Sequence, residues 1–527
     1  MAGPVPGGAP SSWRFLVLLK AAIVADVHLH DLYGGYGLRE LSRGALALRT
    51  FADTAASTRV FNESYPAFLA ILEDIVRRGI STVVLLGDYS DDGQSGAVAA
   101  LKRILSDYET NHGLRFFTVF GNHDCFGPVP RHQSKWLTAG GGGASVLASS
   151  DPGAPEPAVF APEMLGMSTA GAMQAMASYG IARPAGVLHW ETPFGTRDGL
   201  DERYPPGGDP ALPDASYLVE PQEGLWLLML DANVFHRAGA GWKLKADAAW
   251  DHVLTDRPYL IDWIRDAAQR AKHQGKTLLA CSHYPVLPLT LEDTGSGVRA
   301  AGTASWLERM PSANTGQTLA AAGLEWHFSG HMHTAGEVKL DGLVNVAVPS
   351  PVAFPAGYCV VEASHGSVHV ETVSLGHVPG FDVAFSAYAD EIRRGHLTGS
   401  HGMTGSGTYA DFLLAHLRQL VATRHVPADW PRLLPCLEQP IGHLLPSGGP
   451  FEGLFTRRPD MALLPLRSVL EDYYVLRACG GAAPDAIDQT RTEFYRGLSK
   501  ALSGGLRQSN DSILDEYLFE VISKNLI

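Results

Sequence analysis

The chain is short of cysteine, short of cationic charge and without a long apolar run, and each shortage removes a class of protein. Five cysteines, Cys125, Cys281, Cys359, Cys436 and Cys479, are scattered among 527 residues. Their number is odd and they form no CxxC pair, so neither a zinc-thiolate site nor a disulfide framework is indicated; they read as small buried hydrophobes. Lys and Arg number 41 against 55 Asp and Glu, a formal charge of −14. Neutralising a phosphate backbone needs clustered Lys and Arg. No basic stripe interleaved with aromatics is present, so polymeric nucleic acid is not an expected partner. No apolar run reaches the ~18 residues that a membrane-spanning helix needs. A soluble protein is expected, cytoplasmic rather than periplasmic or secreted. The apolar run Trp13–Leu19 is interrupted by Lys20, and Ala21–Ala25 leads straight into Asp26. Cleavage there would remove a strand, so the run reads as mature sequence behind a Pro/Gly-rich lead.

With 45% hydrophobic and 18% charged residues, the chain can bury one large core and at least one smaller one. Ala21–Ala25 predicts a strand covered on both faces. The spacing of Tyr65, Phe68, Leu69, Leu72 and Val76 predicts a helix that Gly79 stops. Thr82–Leu86 and Arg115–Phe120 follow as strands around a helix over Gly93–Tyr108, a βαβαβ rhythm that predicts a layered α/β core. Residues 127–224 break the rhythm with Gly140–Gly143 and the turn-rich run Pro205–Pro210. A connection this long reads as a functional insertion at the cleft side. The pattern resumes with strands Leu225–Leu230, Thr277–Ser282 and Leu324–Phe328, a helix Pro258–His273, and a hairpin-like pair, Leu343–Val348 and Tyr358–Glu362. Beyond residue 380, stripes such as Tyr409, Phe412, Leu413, Leu417 and Leu420 predict helices with their own apolar face; Ile513–Ile522 is a further such segment. The expected division is a flexible lead over 1–20, an α/β domain over 21–375 and a helical C-terminal domain over 380–527.

Five short islands close β-type runs with metal-ligand chemistry: Asp26-Val27-His28, Gly87-Asp88, Gly121-Asn122-His123-Asp124, His283 and Gly330-His331-Met332-His333. Residues two apart on a strand leave the same face. Asp26 and His28, and likewise His331 and His333, can therefore enter the crevice at the C-terminal ends of the strands together. Carboxylates, imidazoles and a neutral amide oxygen are the donor types of a two-metal hydrolytic centre, and a carboxylate at Asp88 can span two cations. Burying so many ionisable groups without partners would be costly, and metals relieve that cost.

This set resembles the calcineurin-like metallophosphoesterase superfamily over residues 21 to about 375. The resemblance implies a four-layer α/β/β/α sandwich, here with a C-terminal helical appendage. It implies one metal held by Asp26, His28, Asp88 and His333 and another by Asp88, Asn122, His283 and His331. His123 would be the general acid or charge stabiliser, with Asp124 orienting it. The two ions would be divalent or mixed-valence Mn, Fe or Zn; no other cofactor is implied. The expected activity is hydrolysis of a small-molecule phosphomonoester or phosphodiester by a metal-bound hydroxide. A reading from another class is a non-catalytic scaffold of this fold that binds a protein partner through the C-terminal helices; the completeness of the ligand set argues against it. His30, Asp31, Asp91, Asp92, Asp231 and Asn233 are candidates to support the ligands. Arg59, Asn62 and His189 are candidates to touch substrate, and Cys125 to border the pocket.

Overall fold

The computed structural model describes residues 19–503 except 39–43, 140–143, 206–208, 210, 240, 290–303, 365–366, 396–401, 445–451 and 481–485. Most of the expected lead, the tetraglycine and the segment Ile513–Ile522 lie outside the described residues.

Two sheets carry the architecture. The first has five strands in the order Ser367–Ser374, Gly357–Ser364, Leu19–Val24, Thr82–Leu86 and Arg115–Val119. Its last three run parallel, as the βαβαβ reading predicts, while Gly357–Ser364 joins Leu19–Val24 antiparallel. The second has seven strands, with Leu225–Leu230, Thr277–Ser282, Trp326–Ser329 and Leu343–Ala347 parallel at its centre. Strand Leu225–Leu230 explains why its sequence does not alternate in polarity: Leu227 and Met229 join the core between the sheets, with Val83 and Phe117. Trp226, Leu228 and Leu230 face the other way, onto Ile261, Ile264 and Ala271 of helix Pro258–Gln274. Helices Ser64–Arg77 and Ser95–His112 bury Phe68, Ile71, Leu101 and Leu105 in the first core. The result is the α/β/β/α layering.

One local expectation is corrected. Leu343–Ala347 and Gly357–Ser364 do not pair; the first hairpins with Gly336–Leu340, and the chain then crosses to the other sheet. Periodicity marks each strand but not its partner. Residues 127–224 are mostly irregular, as their composition suggests, but short strands run through them. Ser134–Ala139, Val146–Ser149 and Val159–Phe160 build a small sheet with Ala47–Arg49, while His189–Glu191 and Tyr217–Gln222 extend the edge of the second large sheet.

The helices after residue 380 dock closely on the sandwich. Tyr409, Phe412 and Leu413 of helix Tyr409–Leu420 enter the main core, and Leu417 packs on a second cluster built from helix Leu466–Ala478. The Tyr409 hydroxyl donates to the Pro351 carbonyl at 2.7 Å, and Ala335 N–H donates to the Ala478 carbonyl at 2.9 Å. No helix among the described residues is long and apolar enough to cross a membrane.

Beneath these helices lies Glu63, fully buried at the head of helix Ser64–Arg77. Burial pushes its carboxyl up to about 8, with only partial relief from its own backbone N–H and then from Tyr388. The folded state then holds a proton that the unfolded chain releases near its ordinary value of 4.5, so stability falls as pH rises from about 4.5 to about 8. The slope is at most about 1.4 kcal/mol per pH unit. Thermal unfolding across that window should show a shallower decline for Glu63→Gln than for the wild type; parallel declines would contradict the assignment.

Candidate metal centre

Each island sits where a buried strand runs out, and the backbone there is unusual. Among the described residues, eight non-glycine positions have left-handed φ, and five of them are Asp26, His28, Asp88, His331 and His333. Such a conformation costs on the order of 1–3 kcal/mol each and persists where surrounding structure enforces it. The enforcement is visible. Asp26 N–H and His28 N–H donate to the carbonyls of Gly87 and Asp88 at 3.1 and 2.8 Å, and His331 N–H donates to Asp26 Oδ2 at 3.0 Å. Two glycines of the islands keep room for the carboxylates: a Cβ on Gly121 would strike Asp88 Oδ1, and one on Gly330 would lie 2.5 Å from Asp26 Oδ2.

The donor atoms converge at spacings that suit shared cations better than direct hydrogen bonds. Two ligand atoms each about 2.1 Å from one tetrahedral ion stand about 3.4 Å apart. His333 Nε2 lies 3.4 Å from Asp26 Oδ1, His28 Nε2 3.2 Å from His333 Nε2, and His28 Nε2 3.7 Å from Asp88 Oδ2. On the other side, His283 Nε2 lies 3.3 Å from Asp88 Oδ2 and 3.1 Å from Asn122 Oδ1, which is 2.9 Å from His331 Nδ1. Asp26, His28 and His333 form one group able to hold an ion, and Asp26, Asp88 and His283 another. Asp26 therefore stands between the groups as well as Asp88. All seven ligand candidates come together, and Asp26, His28, Asp88 and His283 are at most 2% exposed.

The electrostatics fit cation ligands. Burial, then Arg59, holds the His28 imidazole well below its ordinary value, and burial followed by His283 does the same to His331, leaving neutral rings. Burial acts to raise the Asp88 carboxyl, but the His283 and His123 rings outweigh it and hold it well below the usual range. Burial acts to lower His283, yet Asp88 carries it up to about 9. Without an ion, a proton on His283 thus balances Asp88.

The expected pairing of Asp124 with His123 is corrected. Asp124 Oδ2 accepts the N–H groups of Asp88 and Gly121 at 2.6 and 2.8 Å, and its Oδ1 accepts the Ser90 hydroxyl at 3.1 Å. It ties two island backbones together and is fully buried. The carboxylate on the His123 ring is Asp92, with Oδ1 2.5 Å from Nδ1. Asp92 is in turn paired with Lys135, and Arg59 Nη2 lies 3.4 Å from the same ring nitrogen. Burial acts to raise Asp91, but Lys135, Arg49 and Arg59 hold it at about 2. Lys135 and Arg49 carry no local motif, so nothing short of the fold brings them here.

The remaining candidates separate cleanly. Asn233 donates to the Gly121 carbonyl at 3.2 Å and Asp231 Oδ1 accepts the Asn233 N–H at 3.0 Å, so this pair supports the Asn122 turn. His30 bonds the Ala47 carbonyl, Asp31 pairs with Arg103, and Asn62 holds the Arg49 backbone; none reaches the ligands. His189 stacks on Trp226 at the sheet edge and bonds Glu191, so it is no substrate contact. Cys125 is buried, and burial raises its thiol.

A cavity of about 400 Å³ opens on Asp88, Asn122, His123, His331 and His333. None of the described residues of 127–224 lines it, which corrects the expectation that this insertion walls the cleft; Lys135 acts only from behind Asp92. The wall comes instead from Arg59, from the segment around Trp306, and from the C-terminal helices.

These features gather carboxylate, imidazole and amide donors able to hold metal ions at the strand ends of an α/β sandwich. Residues 19–149 match the calcineurin-like phosphoesterase family, which bears out the resemblance carried by the islands. Among solved structures, the chain is similar to a dimetal phosphatase from Danio rerio, at 13% identity, covering 68% of this chain and 98% of that one, with a TM-score of 0.30. It is also similar to GAP50, the anchor in the inner membrane complex of Plasmodium, at 12% identity, covering 68% and 84%, with a TM-score of 0.31. No curated protein matches the chain.

If Asp124 is a backbone tie, Asp124→Ala leaves several buried N–H groups unpaired at about 1–3 kcal/mol each. Its melting temperature should fall by at least a few degrees; an unchanged melting temperature would contradict this role.

Proposed function

We propose that the protein is a metal-dependent hydrolase of small phosphate esters. The observation that carries the reading is the spacing of the buried donors around Asp26 and Asp88, at 3.2–3.7 Å and aimed at common points. Two divalent cations would sit there, one among Asp26, His28, Asp88 and His333 and one among Asp88, Asn122, His283 and His331. When bound, they would supply positive charge to phosphoryl oxygens and lower the pKa of water. The donor set of carboxylates, imidazoles and one amide suits Mn, Fe or Zn alike.

The chain's own groups divide the remaining work. His123 faces the cavity with Nδ1 committed to Asp92, which leaves Nε2 to donate a proton to the leaving oxygen or to hold developing charge. Asp92 orients the ring and is itself held by Lys135. Arg59, fixed by Asp91 at 3.2 Å, presents its cation to the same space. The neutral His28 and His331 rings keep their lone pairs for ligation. A cavity of about 400 Å³ admits a small molecule rather than a folded one.

Protein stripped with a chelator should hydrolyse neither p-nitrophenyl phosphate nor its bis-ester until Mn²⁺ or Zn²⁺ is returned. Asp88→Ala should lose both metals by elemental analysis and all turnover. Wild-type metal content and rate in that variant would sink the reading, and absence of hydrolysis with any metal would favour a binding scaffold. Asp92→Asn should lower kcat on the order of 10²-fold with metal content unchanged; an unchanged kcat would remove Asp92 from the mechanism.

A further inference from the structure

The cavity that opens on the ligand cluster is also lined by three guanidinium groups from widely separated parts of the chain. Arg309 follows the short helix Ala304–Leu307, Arg424 lies in the wide turn Val421–His425, and Arg477 sits in the last turn of helix Leu466–Ala478. Gathering three cations in one cavity opposes Coulomb repulsion and needs a reason in a chain of net charge −14. Among the described residues, the acidic groups facing them are few. Asp247 lines the cavity near Arg309, and Asp429 Oδ2 stands 4.0 Å from Arg477 Nη1. Glu471, the next carboxylate on helix Leu466–Ala478, is drawn to Arg418 at 3.9 Å.

Arg477 is held without being satisfied, while Arg309 and Arg424 are exposed with donors open to the cavity side. Arg477 is fixed by aromatic faces, its Cζ lying 4.3 Å from the Tyr474 ring centre and 5.3 Å from that of Trp306, while its buried Nη1 has no hydrogen-bond partner. Arg424 donates from Nη1 to the Ala56 carbonyl at 3.0 Å, one of the five donors a guanidinium carries. Arg309 makes no side-chain hydrogen bond among the described residues. The positive field registers on its neighbours. Loss of solvation inside the cavity lowers Arg309 most; Asp247 opposes this, and Arg424 and Arg477 add to it. His425, stacked on Tyr474 at 4.8 Å, is pressed down to about 3 by burial and by Arg477 and Arg424.

We infer that Arg309, Arg424 and Arg477 bind a second anionic group on the substrate, so that the preferred ester carries a further phosphate on its leaving group. This rests on the hydrolase reading above and deepens it: the strand-end ligands hold the reacting phosphoryl group, and the C-terminal helices select what is attached to it. Guanidinium groups with free donors pair with phosphate oxygens bidentately, which a lone ammonium cannot do. A doubly charged group also answers three cations better than a carboxylate does. The three arginines are specificity-determining residues, since nothing places them on the reacting atoms.

The test uses the full-length, metal-loaded protein and a series of α,ω-alkanediol bisphosphates of increasing length. Each is compared with its monophosphate and with the ω-carboxylate analogue. At the best length, kcat/KM for the bisphosphate should exceed that for the monophosphate by about tenfold or more, the scale of one charge-assisted hydrogen bond, and the gain should lie in KM. The carboxylate should fall between them. Arg424→Gln and Arg477→Gln should each pull that ratio towards one while circular dichroism stays native. Equal kcat/KM for bisphosphate and monophosphate in the wild type overturns the inference, as does a ratio unchanged in both variants. If no ester is hydrolysed with any metal, the hydrolase reading fails separately. The anion site is then decided by calorimetric titration with an alkane bisphosphonate: weaker binding to Arg424→Gln supports it, and equal binding overturns it.

Discussion

Two carboxylates, Asp26 and Asp88, are buried within a few ångströms of each other, and no lysine or arginine is paired with either among the described residues. Much of the neighbourhood answers to that constraint. Backbone N–H groups of His123 and His331 donate to them at 2.7 and 3.0 Å, and imidazole nitrogens surround them at 3.3–4.0 Å. Glycines at 121 and 330 leave space for them, and five left-handed residues bend the chain around them. Backbone donors and a proton on His283 neutralise such a pair only in part, whereas divalent cations would do so in full. The metal reading is therefore a statement about the stability of this arrangement as well as about chemistry.

The α/β layering is what delivers the donors to one place. Parallel strands of both sheets end at the same crevice, so residues hundreds of positions apart, such as Asp26 and His333, meet. Each strand was legible as a short apolar run, and each island as a ligand pair with period two, because these are local properties. Asp124 and Asp92 show where local reading stops. Both flank an island, and only the turn geometry shows that Asp124 faces backbone N–H groups while Asp92 faces the His123 ring. Adjacency in sequence pointed to the wrong carboxylate.

The cavity wall was less legible still. The insertion over 127–224 looked like its source because it leaves directly after the Asn122-His123 island, yet its strands turn aside into a small sheet and the edge of a large one. Arg309, Arg424 and Arg477 belong to no motif, and each alone reads as a solvated helix-end charge. Their meeting depends on helix Tyr409–Leu420 entering the main core and on Ala478 holding the loop behind His333. The helices beyond residue 380 are thus part of the site's construction, which their apolar stripes alone did not reveal.

Anomalous diffraction from crystals grown with Mn²⁺ tests the centre most directly. A dinuclear centre gives two strong peaks flanking the Asp88 carboxylate, one on the His28 and His333 side and one on the His283 and His331 side. A single peak, or none within reach of Asp88, would contradict it.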